Sequence, residues 1–427
     1  MYNHKATHWP QTERKWWVML LVLLTAILYA ARMVMPVSAS AMAEEFGWNK
    51  ADLGGAMGSF YWGYLTTQVV GGYVADKFGG DKVLCVSVFM WGTLTTITPH
   101  IARFRFEYAS PLALLTILRI LLGVSQGVHY PSMMSLLGKK IPETERSFPN
   151  GIVGSASQFG TVICGFIGSI ILERHSWDDL FYAVGVIALC SVCSFAYFLH
   201  STDNMTYKSH ANGSSSKQKL LLGENIASVP WRVIFRKSPV WCLIFTHVCV
   251  CNFGFTILSW LPTYFHENFP NENSWLYNTV PYFMSIPASI SSGWLGDRLI
   301  NAKYNVGFIR KLMQTISLCG SAFFIVLLPF ASSFYLSVLC AGLSMCMSSF
   351  QHAGAFCNAQ DIAPSYAGSV FGVMNTFGAI PGFVGVYVAG HILDITKSWT
   401  LVFLIMGAVN CLGAVVFAVG GTGKQLV

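Results

Sequence analysis

Charge is scarce in this chain. Only 11% of its 427 residues are Asp, Glu, Lys or Arg, whereas 54% are hydrophobic. A soluble globular chain carries about 25% charged residues, so this composition cannot cover a water-soluble surface of such size. A soluble enzyme, a disordered chain and a secreted disulfide scaffold are thereby disfavoured. No Gly-x-x-x-x-Gly-Lys-Ser/Thr phosphate loop occurs, and no nucleophile–base set suggests enzymatic chemistry. The 12 Cys offer no metal framework. Almost all lie inside apolar runs, and the CxxC at Cys190 and Cys193 has no second ligand pair, so they read as small apolar packing residues. A cleavable leader is not evident either: the first apolar run, Trp16 to about Pro36, has the length of a bilayer span rather than that of a signal core.

What the chain does have is about twelve apolar stretches, at 16–36, 52–74, 83–102, 111–137, 150–172, 180–199, 239–265, 276–296, 312–330, 334–357, 366–391 and 399–419. Its 39 Gly and 16 Pro are spread through them, as in packed membrane helices. With the N-terminus placed in the cytosol, cytosolic segments hold 19 Lys and Arg and the opposite side holds 5. The positive-inside rule then puts both termini in the cytosol. The +7 net charge sits in short loops and gives no reason to expect a nucleic-acid partner. The longest polar stretch, with HANGSSSKQK, reads as a cytosolic linker over 201–238, joining a six-helix half at 1–200 to another at 239–427.

The halves share a motif. GGYVADKFGGDK begins at Gly71 and SGWLGDRLINAK at Ser292, so that Gly72, Asp76 and Lys77 map onto Gly293, Asp297 and Arg298. Parallel six-helix repeats are a signature of two-domain secondary transporters. The Gly-x-x-x-Asp-Lys/Arg pair resembles the loop motif of the major facilitator superfamily, and the likeness extends over essentially the whole chain. It implies an all-α membrane fold of two six-helix halves, with these six residues in a cytosolic gate. Gly lets the helix end approach a neighbour, and Asp accepts hydrogen bonds from a facing helix N-terminus and pairs with a nearby cation.

Two cations lie inside apolar stretches, where charge is costly and usually functional. Arg32 is about 16 residues into the first stretch, roughly 24 Å from its cytosolic end, and Arg119 is about 8 residues into the fourth, roughly 12 Å from the other end. They therefore share a depth, and no carboxylate lies deep in any stretch to neutralise them. The superfamily resemblance implies that both line one central cavity, where they call for an anion. In LRILLGVSQGVHYPSM, Arg119, Gly123, Gln126 and Tyr130 recur at helical spacing. Arg119 offers a bidentate fork, Gln126 an uncharged hydrogen-bonding group, and Tyr130 either a stacking platform or ordinary packing. His352, in FQHAGAFCNAQD, is a further candidate for a proton or phosphate contact, with a satisfied structural His equally open. His129 and His247 rate lower, and Trp260 and Tyr264 suggest an interfacial aromatic belt.

YAARMVMP, SFYWGYLTTQVVGGYVADKFGG, RILLGVSQGVHYPS, IVGSASQFGT and NAQDIAPSYAGSVFGVMNTFG are similar to the solute carrier 17 family of organic anion transporters. FGWNKADLG, SWLPTYFHENFP, VPYFMSIPASISSG and IRKLMQ look most like its nucleotide-carrying members. Glutamate and sialic acid members carry Glu where Gln126 stands; glutamate members carry His at Met57 and an Arg near Val250. The missing carboxylate argues against obligatory proton symport. The resemblance implies that Arg32 and Arg119 bind substrate, and that ATP, ADP and GTP enter secretory or lysosome-related vesicles by alternating access. The same resemblance implies a drive by membrane potential from a proton-pumping ATPase and activation by chloride, with no other cofactor expected; with no phosphate loop, ATP is then cargo, not fuel. The alternative is a proton- or sodium-coupled carrier of phosphate or a small organic anion.

Overall fold

The structure is a computed structural model that describes residues 9–48, 50–104, 110–211, 229–272 and 274–427. Among the described residues there is no strand. The first half comprises α1 (Gln11–Phe46), α2 (Lys50–Phe78), α3 (Gly80–Arg103), α4 (Pro111–Gly127), α5 (His129–Lys140), α6 (Ser147–Arg174) and α7 (Trp177–Ala211). A short α8 (Trp231–Phe235) leads to the second half. This holds α9 (Ser238–Asn268), α10 (Ser274–Asn301), α11 (Val306–Leu327), α12 (Phe334–Ser348), α13 (Ala355–Ile362), α14 (Ala367–Thr396) and α15 (Trp399–Gly420). The helices α4 and α5 cross as one span, broken at Val128, and α12 and α13 cross as another, broken by a 3-10 turn at Ser349–His352.

Local chemistry fixes many ends. Ser110, Asn305, Ser333 and Ser398 cap α4, α11, α12 and α15 by accepting from the backbone N–H three residues on. Gly47 ends α1 in the left-handed region at φ 69°. Among the described residues, ten spans combine the length and apolarity for membrane crossing. The helices α2 and α10 are as long but are not among these ten, being rich in Gly, Ser and Tyr. Their more polar faces are buried at the seam between the halves. The chain is a multi-pass membrane protein.

Packing repeats between the halves. In the first, α1 packs on α6, α2 on α4 and α3 on α7; in the second, α9 packs on α14, α10 on α12 and α11 on α15. Across the seam α2 meets α14 and α6 meets α10. Two helices outrun their expected stretches. The polar turn of α1 through Glu44 and Glu45 extends it to Phe46. The helix α7 continues to Ala211, into the stretch expected as linker, while residues 212–228 of that stretch lie outside the described residues. Trp260 and Tyr264, expected in an interfacial belt, lie by the end of the Ser238–Leu261 span, where they donate to the carbonyls of Val386 and Leu328 and pack on Trp399.

Candidate anion site and its gate

The helices α6 and α14 begin without a capping side chain of their own; the residues before them are Arg146 and Tyr366. Their first N–H groups would be orphaned. Each receives a carboxylate from the opposite half instead. Asp76, near the end of α2, accepts from Gly368 N at 3.2 Å, Ser369 N at 2.7 Å and Ser369 Oγ at 2.6 Å. Asp297, near the end of α10, accepts from Ser147 N and Phe148 N, both at 2.8 Å. The negative charge also faces the positive end of each helix dipole. Gly72 and Gly293 allow the approach: a Cβ on Gly72 would lie 2.2 Å from Gly368 O, and one on Gly293 would lie 2.5 Å from Ser147 O. We call this end of the molecule the motif face.

Lys77 and Arg298 stand apart from these bonds. Lys77 lies near the rings of Tyr73 and Phe78, and Arg298 near that of Trp294, 4.9 Å away. The cation near Asp76 is Lys139, whose Nζ is 3.9 Å from the carboxylate. A buried triad that the sequence reading missed completes the closure. Asp361, at the end of α13, binds Arg146 Nη1 at 2.9 Å and Arg310 Nε at 2.7 Å. Arg146 also donates to the carbonyls of Gly138, Ile141 and Gln360, and Arg310 to Ser147 Oγ. These bonds clamp both halves.

Arg32 and Arg119 meet deeper in the first half. Both guanidinium groups lie beside the ring of Phe60, at 5.4 Å and 5.2 Å. Arg32 also lies 4.8 Å from the rings of Tyr29 and Tyr64, and its Nε donates to Gln126 Oε1 at 2.9 Å. Neither arginine has an ion-pair partner among the described residues. Arg32 Nη2, Arg119 Nε and Gln126 Nε2 are buried donors with no acceptor in the protein. Two cations and three free donors within one aromatic-walled cluster suit an anion with several acceptor oxygens.

The remaining candidates sit below this cluster. Tyr130 is buried; its hydroxyl donates to Tyr29 Oη at 3.2 Å and its ring stacks on Phe371 of α14, so it packs across the seam. His352 Nδ1 is 2.9 Å from both Ser289 Oγ and the Ser349 carbonyl. Its Nε2 edge fills the notch left by Gly154, where a Cβ would come within 2.4 Å. Its Nδ1 is thus engaged in the α6–α10 seam, and neither arginine is among the ring's contacts with the described residues. A polar bridge that sequence reasoning missed joins the cluster to the second half: Asn375 Nδ2 donates to Tyr64 Oη at 3.2 Å and Gln68 Oε1 at 2.9 Å, and Asn375 Oδ1 is 3.3 Å from His247 Nε2.

Comparison with known proteins fits this architecture. Residues 20–386 match the profile of the Major Facilitator Superfamily. The chain is 41% identical, over 98% of its length and 94% of the relative, to the voltage-gated purine nucleotide uniporter SLC17A9 of Homo sapiens. It is 33% identical, over 98% and 81%, to the chloroplastic sodium-dependent phosphate transport protein 1 of Arabidopsis thaliana. Among solved structures, the proton:xylose symporter XylE bound to 6-bromo-6-deoxy-D-glucose superposes with a TM-score of 0.74 over 96% of this chain and 97% of that one, at 13% identity.

Proposed function

The chain belongs to the major facilitator superfamily and, within it, to the solute carrier 17 family, and from that premise we propose that it is a voltage-driven uniporter of purine nucleotides such as ATP, ADP and GTP. The observation that carries the reading is the pair Arg32 and Arg119, held beside one phenyl ring with free donors and no carboxylate partner among the described residues. A polyphosphate supplies the missing negative charge and acceptors. Gln126 orients Arg32 without neutralising it. The nucleotide relative is similar over nearly the whole of both chains.

The motif face is the cytosolic one, as the Lys and Arg asymmetry supports, and both termini lie there. The structure then has its cytosolic gate closed. The halves rock about the arginine cluster, and opening releases Asp76 from α14, Asp297 from α6 and Asp361 from Arg146. The membrane is that of a secretory vesicle or lysosome, whose proton-pumping ATPase makes the interior positive and draws the anion in. Chloride acts as an activator.

The test is uptake of labelled ATP into liposomes holding only this protein, with an inside-positive potassium diffusion potential or an imposed pH gradient. Voltage alone should drive uptake, and Arg119→Ala should abolish it at unchanged expression. Phosphate or a small organic anion entering on a proton or sodium gradient, with no ATP uptake, would overturn the reading. Wild-type-like uptake by Arg119→Ala would remove the arginine from the site.

A further inference from the structure

The gate leaves Lys15 and Arg298 unused. Both are exposed at the motif face, where α1 begins and α10 ends, and neither forms an ion pair among the described residues. They edge a groove of about 720 Å³ between α1 and α6 of one half and α10 of the other. One to two helical turns further in, its walls become apolar, with Val22, Ile152, Phe148 and Trp294. Phe148 and Trp294 are 39% and 51% exposed, so this wall continues onto the outer surface of the bundle. The two carboxylates on the groove are already engaged: Glu145 pairs with Arg14, and Asp297 takes the N–H groups of α6. The cleft is thus net positive at its mouth and partly apolar further in, at the end of the bundle where α1 begins and α10 ends.

We propose that this groove binds an anionic phospholipid of the surrounding leaflet. Its phosphate pairs with Lys15 and Arg298, and its upper acyl chain lies against Val22, Ile152 and Trp294. Basic clefts between helices on the cytoplasmic side recognise headgroups in this way, and the volume falls within that of small-molecule sites. A free phosphate would leave the apolar wall uncovered, whereas a lipid uses both ends. Because the groove spans the α6–α10 seam, the bound lipid favours the closed motif face.

The experiment uses the full chain in detergent, adding phosphatidylserine, phosphatidylcholine or inorganic phosphate. Phosphatidylserine should raise the melting temperature by several degrees and the other two should not. It should also slow alkylation of Cys357, buried behind the closed gate, several-fold. The double variant Lys15→Gln/Arg298→Gln should lose most of both effects. So should Val22→Trp, which fills the apolar end and keeps both cations; it serves if the double variant fails to fold. Equal responses in wild type and variants, or the same shift with phosphate alone, would overturn the lipid site. An unchanged alkylation rate would overturn its link to the closed face.

Discussion

At the scale of single residues, the difference between a neutral and an acidic partner decides what the arginine cluster can carry. Gln126 sits 2.9 Å from Arg32 through its carbonyl oxygen. Gln126→Glu keeps the shape and places a carboxylate there, so Arg32 acquires an internal counterion in competition with the cargo. A hydrogen bond to a charged group contributes about 1.5–3 kcal/mol, so ATP uptake driven by voltage should fall about 10- to 100-fold. Lowering the pH should partly restore it, as the new carboxyl is protonated. Uptake by the variant that matches wild type at neutral pH would show that Arg32 does not meet the cargo. Arg32 and Arg119 stood out in the sequence because an intramembrane charge is conspicuous in a chain with so little charge, and Gln126 because it follows Arg119 at helical spacing. Phe60, Tyr64 and Asn375 were not, since an aromatic or amide in an apolar run looks like packing until its partner across the seam is known. Asp361 was hidden for a related reason. It follows the tenth apolar stretch and reads as a loop charge, yet two arginines, distant in sequence, carry it into the interior at 3% exposure.

At the scale of elements, the gate is a pair of exchanged helix caps. Each half begins one seam helix with unsatisfied N–H groups, and each supplies the carboxylate that the other lacks. Loss of a cap costs about 0.5–2 kcal/mol, enough to change the ratio of closed to open forms by up to about 30-fold. Asp76→Ala and Asp297→Ala should each shift the population towards an open motif face. Faster alkylation of Cys357 by a membrane-impermeant maleimide, read by peptide mass spectrometry, measures that shift. Because both caps oppose the same opening, the double variant should react faster than either single one. Alkylation no faster than in wild type would mean that the caps stabilise the helices in both states alike. The two aspartates were readable from the repeat, and so was their target, a facing helix N-terminus. The basic residues beside them were expected in the same gate, yet Lys77 and Arg298 lie by aromatic rings. The helix termini already supply the positive potential that the carboxylates need, which leaves these cations free to face outward. The fold itself was legible because apolar length sets span number and the duplicated motif sets the repeat. The extension of α7 was not, as a polar helix end has no hydrophobic period to mark it.

At the scale of the whole molecule, the charge moved per cycle follows from which groups travel with the cargo. No carboxylate pairs with Arg32 or Arg119 among the described residues; the buried Asp361 is locked between two arginines, and Asp76 and Asp297 cap helices at the gate. The proposed carrier therefore has no evident group to bring a proton back. Each net charge crossing 100 mV gains about 2.3 kcal/mol, or roughly 1.7 decades in concentration ratio. A cargo with about three net negative charges then reaches about five decades at equilibrium, and one with about two reaches roughly 3.4. The logarithm of the accumulation ratio of ATP and of ADP should therefore rise with imposed voltage at slopes in a ratio of about three to two, and an added pH gradient at fixed voltage should leave both accumulation levels unchanged. Proteoliposomes clamped at several potassium potentials give both slopes directly. Equal slopes for the two nucleotides would mean that they exchange or travel with compensating ions. Accumulation levels that move with the pH gradient at fixed voltage would place a titrating group in the cycle. His247 would then be the first residue to replace, because it reaches the arginine cluster through Asn375 and Tyr64.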